Sequence, residues 1–152
     1  MRLNCFGVIK MYDSKSVLDG LISTVQMGQT GIRSVLDKAV RADLRRDLHD
    51  QLAEYDTVET KAHDIAKNHG WELKEVNPAV KAMSNMISQM KLSVGRPDSK
   101  IAAMMIQGNT RGMILGLKDL HRCRNLDTDV EALSHRLLEI EHSNIQQMQG
   151  YL

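Results

Sequence analysis

The stretch that decides the fold is Asp127–Leu152, DTDVEALSHRLLEIEHSNIQQMQGYL. Its apolar residues Val130, Leu133, Leu137, Leu138, Ile145 and Met148 recur at three- and four-residue steps, which lines them up on one stripe of an α-helix. Continuing that stripe puts Glu141 and Asn144 on the same face. A carboxylate turned toward a core is costly unless it is paired, hydrogen-bonded or bound to a metal. Glu141 therefore predicts polar partners on the helices around it.

The same periodicity recurs upstream. Ser16, followed by Asp19, has the pattern of a helix N-cap, and from Val17 to about Val40 the stripe reads Leu18, Leu21, Ile22, Val25, Gln29, Ile32, Leu36 and Ala39, with Gln26 on its shoulder. Gly20, Gly28 and Gly31 lower helix propensity by roughly 1 kcal/mol each relative to alanine. Their presence predicts a closely packed neighbour or a bend. A second helix, 42–69, carries Leu44, Leu48, Leu52, Tyr55, Glu59, Ala62 and Ala66, with His63 one turn beyond Glu59, and ends on a basic residue before Gly70. Arg45, Arg46 and Asp47 to Asp50 read as its solvated face.

Trp71–Asn77 reads as an extended connector. Asn77-Pro78 opens a shorter helix over 78–92 that brings Val80, Met83, Met86, Ile87 and Met90 together. Gly95-Arg96-Pro97 breaks it, and Asp98 or Ser99 is expected to cap a helix over 99–124 with the stripe Ala102, Met105, Ile106, Asn109, Met113, Leu117 and Leu120. Thr128 and Glu131 form a capping box for the last helix, 127–150.

Composition narrows the classes. The 152 residues (17.1 kDa) fit one domain, divided here into an extended lead-in over 1–15 and a bundle over 16–152. Twenty basic and nineteen acidic side chains are well mixed, so neither a nucleic-acid footprint nor a membrane surface is indicated. Met1–Lys10 is too short in apolar length for a secretory segment, and nothing approaches the roughly 20 apolar residues of a membrane span. The reading is a soluble, cytoplasmic protein. Cys5 and Cys123 form no CxxC and read as buried or spare thiols. Aromatics are 3% against ten methionines, a profile of helices packed by aliphatic and thioether side chains.

A helix of about 27 residues is ~40 Å long, and about 15 helical plus seven extended residues can return along it. Short loops at 40–42 and 125–128 with one long middle connection therefore predict an all-α, left-handed, ferritin-like four-helix bundle whose crossover carries the short helix. Each long helix then adds a polar group to the interior: Gln26 and Gln29, Glu59 and His63, Asn109, and Glu141 with Asn144.

In ferritin-like carboxylate proteins two metals are held by a Glu from each of two helices and a Glu-x-x-His pair from each of the other two. Here Glu59-x-x-x-His63 and Glu141-x-x-Asn144 meet that pattern in part, with amides where the single glutamates belong. Glu139-x-x-His142 matches it literally but lies about 160° around the helix from Glu141, and the apolar stripe selects Glu141.

The runs Met105-Ile-Gln-Gly-Asn-Thr-Arg-Gly-Met113 and Leu138-Glu-Ile-Glu-His-Ser-Asn-Ile145 resemble the ferritin-like superfamily of bacterial bundles, and within it the spore coat protein F type. The resemblance covers roughly residues 16–152, implies the same bundle and admits a spore-coat location. Because carboxamides are neutral and weak ligands for hard cations, a working dinuclear site ranks last, behind two other readings. The favoured one has no cofactor: Glu59 and Glu141, close to one another, are hydrogen-bonded by Gln29, Asn109, Asn144 and Tyr55 in a register-fixing layer. The other is a single divalent ion (iron, manganese or zinc) on Glu59, His63 and Glu141, in a storage or oxidoreductase protein. The favoured function is a non-enzymatic structural or interaction protein, coat or stress associated, that works by self-association. Met83, Met86, Met90, Met104 and Met105 read first as core and second as an adaptable partner surface. His49, His69, His121 and His135 read as surface residues without acidic partners.

Overall fold

A computed structural model of the chain describes residues 12–74 and 95–152. These form four helices: α1 Ser14–Val35, α2 Ala42–His69, α3 Pro97–Arg122 and α4 Thr128–Gln149. No strand occurs among the described residues. The short helix expected over 78–92, its Asn77-Pro78 start, most of the N-terminal lead-in and Cys5 lie outside them.

Helix ends follow local chemistry more closely than the pattern alone indicates. α1 starts three residues early because Asp13, not Ser16, is its N-cap. The Asp13 carboxylate accepts from the Ser16 backbone N–H at 2.9 Å and from its hydroxyl at 2.8 Å. Those bonds favour the ionised form and lower the Asp13 pKa. α3 begins at Pro97 with Arg96 as N-cap, so Asp98 does not cap it. Instead Asp98 accepts from the backbone N–H groups of Val40 (2.7 Å) and Arg41 (2.9 Å), closing the turn between α1 and α2. The expected Thr128–Glu131 box is likewise not formed: Asp127 is the N-cap of α4, and its N–H donates to Ser14 Oγ at 2.9 Å. α2 does end as read, on Gly70 at φ 68°, a left-handed conformation glycine adopts without a Cβ penalty.

Contacts at the helix ends set the topology. At one end Tyr12 donates to Asp119 (2.7 Å), the Lys74 N–H donates to Asp19 (3.0 Å), and His69 meets Asp129 (2.9 Å). At the other, Asp98 meets Val40, Gln51 donates to Gln147 (2.6 Å) and Tyr151 donates to Asp47 (2.5 Å). α1 and α4 therefore run one way and α2 and α3 the other. Neighbours around the ring are α1–α2, α2–α4, α4–α3 and α3–α1, all antiparallel. The chain changes ends between Lys74 and Gly95, the long connection of a ferritin-like bundle.

The interior is built from Leu18, Ile22, Val25 and Ile32 of α1, Leu44, Leu48 and Val58 of α2, Ile101 and Met105 of α3, and Val130, Leu137 and Met148 of α4. Met104 and Met105 are buried in it, and Met83, Met86 and Met90 lie outside the described residues. The expected α3 stripe drifts off in its second half. Met113 is only half-buried and Leu117 is 42% exposed, while Gly112 is buried. Smallness selects this face: a Cβ on Gly112 would lie 3.0 Å from Glu141 Oε1, and one on Gly116 3.1 Å from Leu138. The α3–α4 contact thus depends on the two glycines. Asp47, read as solvated, is buried beneath Tyr151.

Candidate functional site

The polar residues of the four helices fall into two clusters, not one layer. The inner cluster is centred on Tyr55, which α2 points across the bundle. Its ring passes over α1 at Gly28, where a Cβ would lie 2.6 Å from Tyr55 Cε2. Glycine at 28 thus makes room for the side chain that reaches the core. The Tyr55 oxygen lies 2.9 Å from Asn109 Oδ1 and 3.0 Å from Glu141 Oε1. Asn144 donates to Asn109 Oδ1 at 3.3 Å, and Asn109 Nδ2 donates back to the Met105 carbonyl at 2.6 Å. Glu141 is 2% exposed.

Counting hydrogens assigns the protonation. The bond from Asn109 Nδ2 to Met105 turns Asn109 Oδ1 toward Tyr55 as an acceptor. Tyr55 has one hydroxyl hydrogen and two oxygen neighbours, so one contact must take its hydrogen from elsewhere. A protonated Glu141 supplies it: Glu141 donates to Tyr55, Tyr55 to Asn109, and every contact then holds one hydrogen. Burial acts in the same direction, pushing the Glu141 carboxyl up to about 8 against the opposing effect of its Tyr55 hydrogen bond. Burial, then the charge of Glu141 and the bond to it, lift the Tyr55 hydroxyl well above its ordinary range, with Asn144 opposing. Glu141 Oε2 remains buried without a partner.

The outer cluster sits on the α1–α2 seam. Glu59, expected to face the centre beside Glu141, is rotated outward with its side chain 26% exposed, and Val58 takes the inward position. Gln29 donates to Glu59 Oε2 at 2.7 Å and to Asp56 at 2.8 Å, and Gln26 donates to Glu59 Oε1 at 3.2 Å. Burial raises the Glu59 pKa, but the bonds from Gln29 and Gln26, with His63 and Arg33 nearby, outweigh it and leave the pKa lowered. The amides that stand where a dinuclear site would need glutamates thus solvate an anion.

A metal on Glu59, His63 and Glu141 does not fit this arrangement. His63 is exposed, 3.9 Å from Glu59, while Glu141 belongs to the other cluster and holds its proton. No group of three His, Cys, Asp or Glu side chains converges as a ligand set among the described residues. Glu139, of the literal motif, is exposed and pairs with Arg136, and His142 is exposed as well.

A solved structure is similar in architecture. The chain superposes on the crystal structure of a DUF305 fragment from Deinococcus radiodurans with a TM-score of 0.73 over 90% of this chain and 93% of that one, at 13% identity. At that identity the likeness is one of fold. No family model and no curated protein matches the sequence.

A crevice of about 60 Å³ between α1 and α3 reaches the inner cluster. Met27, Gly28, Gly108 and Arg111 line its mouth, and Tyr55, Asn109 and Glu141 its floor. It could not be read from the sequence because its lining comes from all four helices. His69 was read as unpartnered, yet it meets Asp129 at 2.9 Å and stacks on Trp71 at 4.1 Å between centroids. No sequence spacing links residues 60 positions apart. Among the described residues no helix is long and apolar enough to cross a membrane.

Proposed function

We propose that this protein is a non-enzymatic structural or interaction module whose buried polar cluster holds helix register and which acts by associating with copies of itself. The observation that carries this reading is the inner cluster itself: buried Glu141 is tied through Tyr55 to Asn109 and Asn144, so residues of three helices meet in one polar contact. A buried network satisfied in one alignment of helices disfavours slipped alignments, because each slip strands polar groups. Association is supported by Ile114 (49% exposed), Leu115 and Leu117 on α3, apolar side chains turned to solvent. The likeness of residues 105–113 and 138–145 to the spore coat protein F type favours a coat or stress-associated role, in the cytoplasm or at the spore surface.

Sedimentation velocity of the full chain between 10 and about 200 μM tests the association. Dimers or larger species that dissociate in an Ile114→Lys, Leu117→Lys variant are expected. A monomer throughout that range would end the self-association reading. Elemental analysis of protein purified without chelator tests the rest: iron, manganese or zinc near one equivalent per chain, lost on Glu141→Ala, would replace it with a metal-binding function.

A further inference from the structure

Two opposite edges of the bundle carry surfaces of opposite charge. α2 and α3 sit diagonally in the ring with α1 and α4 between them, so their outer faces point away from one another. On α3, Ile114, Leu115 and Leu117 are exposed among Arg111, Lys118 and Arg122, and the one acid of this half, Asp119, is held inward by Tyr12 at 2.7 Å. On the outer face of α2, Thr57 donates its hydroxyl to the Ala53 carbonyl (3.0 Å) and Thr60 to that of Asp56 (3.0 Å). Each threonine therefore leaves its methyl group on the surface beside Ala53. Asp50, Glu54, Asp56, Glu59 and Asp64 lie around that patch. Lys61 is the one lysine or arginine on α2 between Asp50 and Asp64, and Arg136 and Arg33 reach in from α4 and α1 to Glu54 (3.3 Å) and Asp56 (3.6 Å). Five carboxylates against one lysine and two arginines leave the α2 surface acidic, where that of α3 is basic.

We propose that copies of this chain join by these unlike faces, Ile114, Leu115 and Leu117 of α3 in one copy docking on the Ala53, Thr57 and Thr60 patch of α2 in the next. This pairing presupposes the self-association proposed above and gives it its surfaces. Charge selects it. A two-fold contact of α3 with α3, centred on Ile114 and Leu115, sets Arg111 of one copy opposite Lys118 of the other. A two-fold contact of α2 with α2, centred on Thr57, sets Asp50 opposite Asp64. Like charges oppose both arrangements, whereas α3 on α2 brings arginine and lysine to carboxylates. The short side chains of α2 also leave room for the longer ones of α3. Because the two faces lie on opposite edges, a copy bound through its α3 still offers its own α2. The contact therefore adds further copies instead of closing as a dimer.

Sedimentation velocity of the full chain between about 10 and about 200 μM tests this with two variants at exposed positions. Ile114→Glu sets a carboxylate against the acids of α2, and Thr57→Lys sets a cation against the bases of α3. Wild type should grow past dimer as concentration rises. Each variant alone should associate at least about tenfold more weakly while its circular dichroism stays helical. An equimolar mixture of the two should associate again, since each copy contributes the face the other has lost. Sodium chloride at about 0.5 M should weaken the wild-type assembly at least about threefold. A wild type that stays monomeric would end self-association altogether, and this pairing with it. Assembly that stops at a dimer, that Thr57→Lys leaves unchanged, that the mixture fails to restore or that salt leaves intact would refute the α3-on-α2 contact alone, with self-association then running through another surface.

Discussion

Replacing Glu141 by glutamine isolates the proton held in the core. The folded carboxyl sits at about 8 and the unfolded one near the ordinary 4.5, so between these values the native state carries a proton that the unfolded chain has released. Unfolding then discharges a proton, and stability falls by about 1.4 kcal/mol per pH unit through that window, levelling off above it. At pH 7 the native protein has lost about 3 kcal/mol relative to pH 4 on this account. Glutamine has nothing to titrate. Its amide nitrogen can stand where Oε1 donates to Tyr55, and its oxygen where Oε2 lies, leaving one surplus amide hydrogen that costs roughly 1–3 kcal/mol. Glu141→Gln should therefore match or exceed wild type by up to about 2 kcal/mol at pH 7. More diagnostic is the difference between the two stability profiles, in which every other titrating group cancels. Urea denaturation at half-unit steps from pH 4.5 to 9, followed by helical circular dichroism, should show the gap shifting in favour of glutamine up to about pH 8 and then holding constant. Two profiles that run parallel across the range would mean that Glu141 does not hold its proton in the fold, and the hydrogen count would fail with it.

Three further outcomes are expected. Tyr55→Phe keeps the ring over Gly28 but removes the hydroxyl that links Glu141 to Asn109, so it should destabilise by about 1–3 kcal/mol in urea melts; a change below about 0.5 kcal/mol would show that water replaces the hydroxyl. The glycine pair should split in sign: Gly28→Ala puts a Cβ 2.6 Å from the Tyr55 ring and should lower the thermal midpoint, whereas Gly108→Ala meets open space and should raise stability by up to about 1 kcal/mol through helix propensity. Stabilisation by both would contradict the close packing at Gly28. Asp98→Ala removes the acceptor from two backbone N–H groups between α1 and α2 and should cost about 1–2 kcal/mol, while Asp98→Asn, which keeps one acceptor oxygen, should lose less; equal losses would point to charge rather than hydrogen bonding.

Periodicity alone determined the helices, their approximate limits, the inward placement of Glu141, Asn109 and Asn144, and the need for a long middle connection. These are properties of one helix face or of loop length, and a 3.6-residue repeat records them directly. Pairings were legible in part: the inward carboxylate of Glu141 does meet Tyr55, and Asn109 and Asn144 join it through that hydroxyl and each other, while Gln29 goes to Glu59. What tertiary structure decided was rotation and reach. Glu59 shares a stripe with Tyr55 and Ala62, yet a small turn of α2 buries Val58 and leaves Glu59 at the seam, where Gln26 and Gln29 meet it. The position of Asp98 opposite two amide hydrogens from the α1–α2 turn, and that of Glu141 beside a crevice, come from helices meeting across the bundle. A one-dimensional pattern places a residue on a face of its own helix; the atoms waiting opposite depend on how the neighbouring helices are turned, and here glycines at 28, 112 and 116 set that closeness.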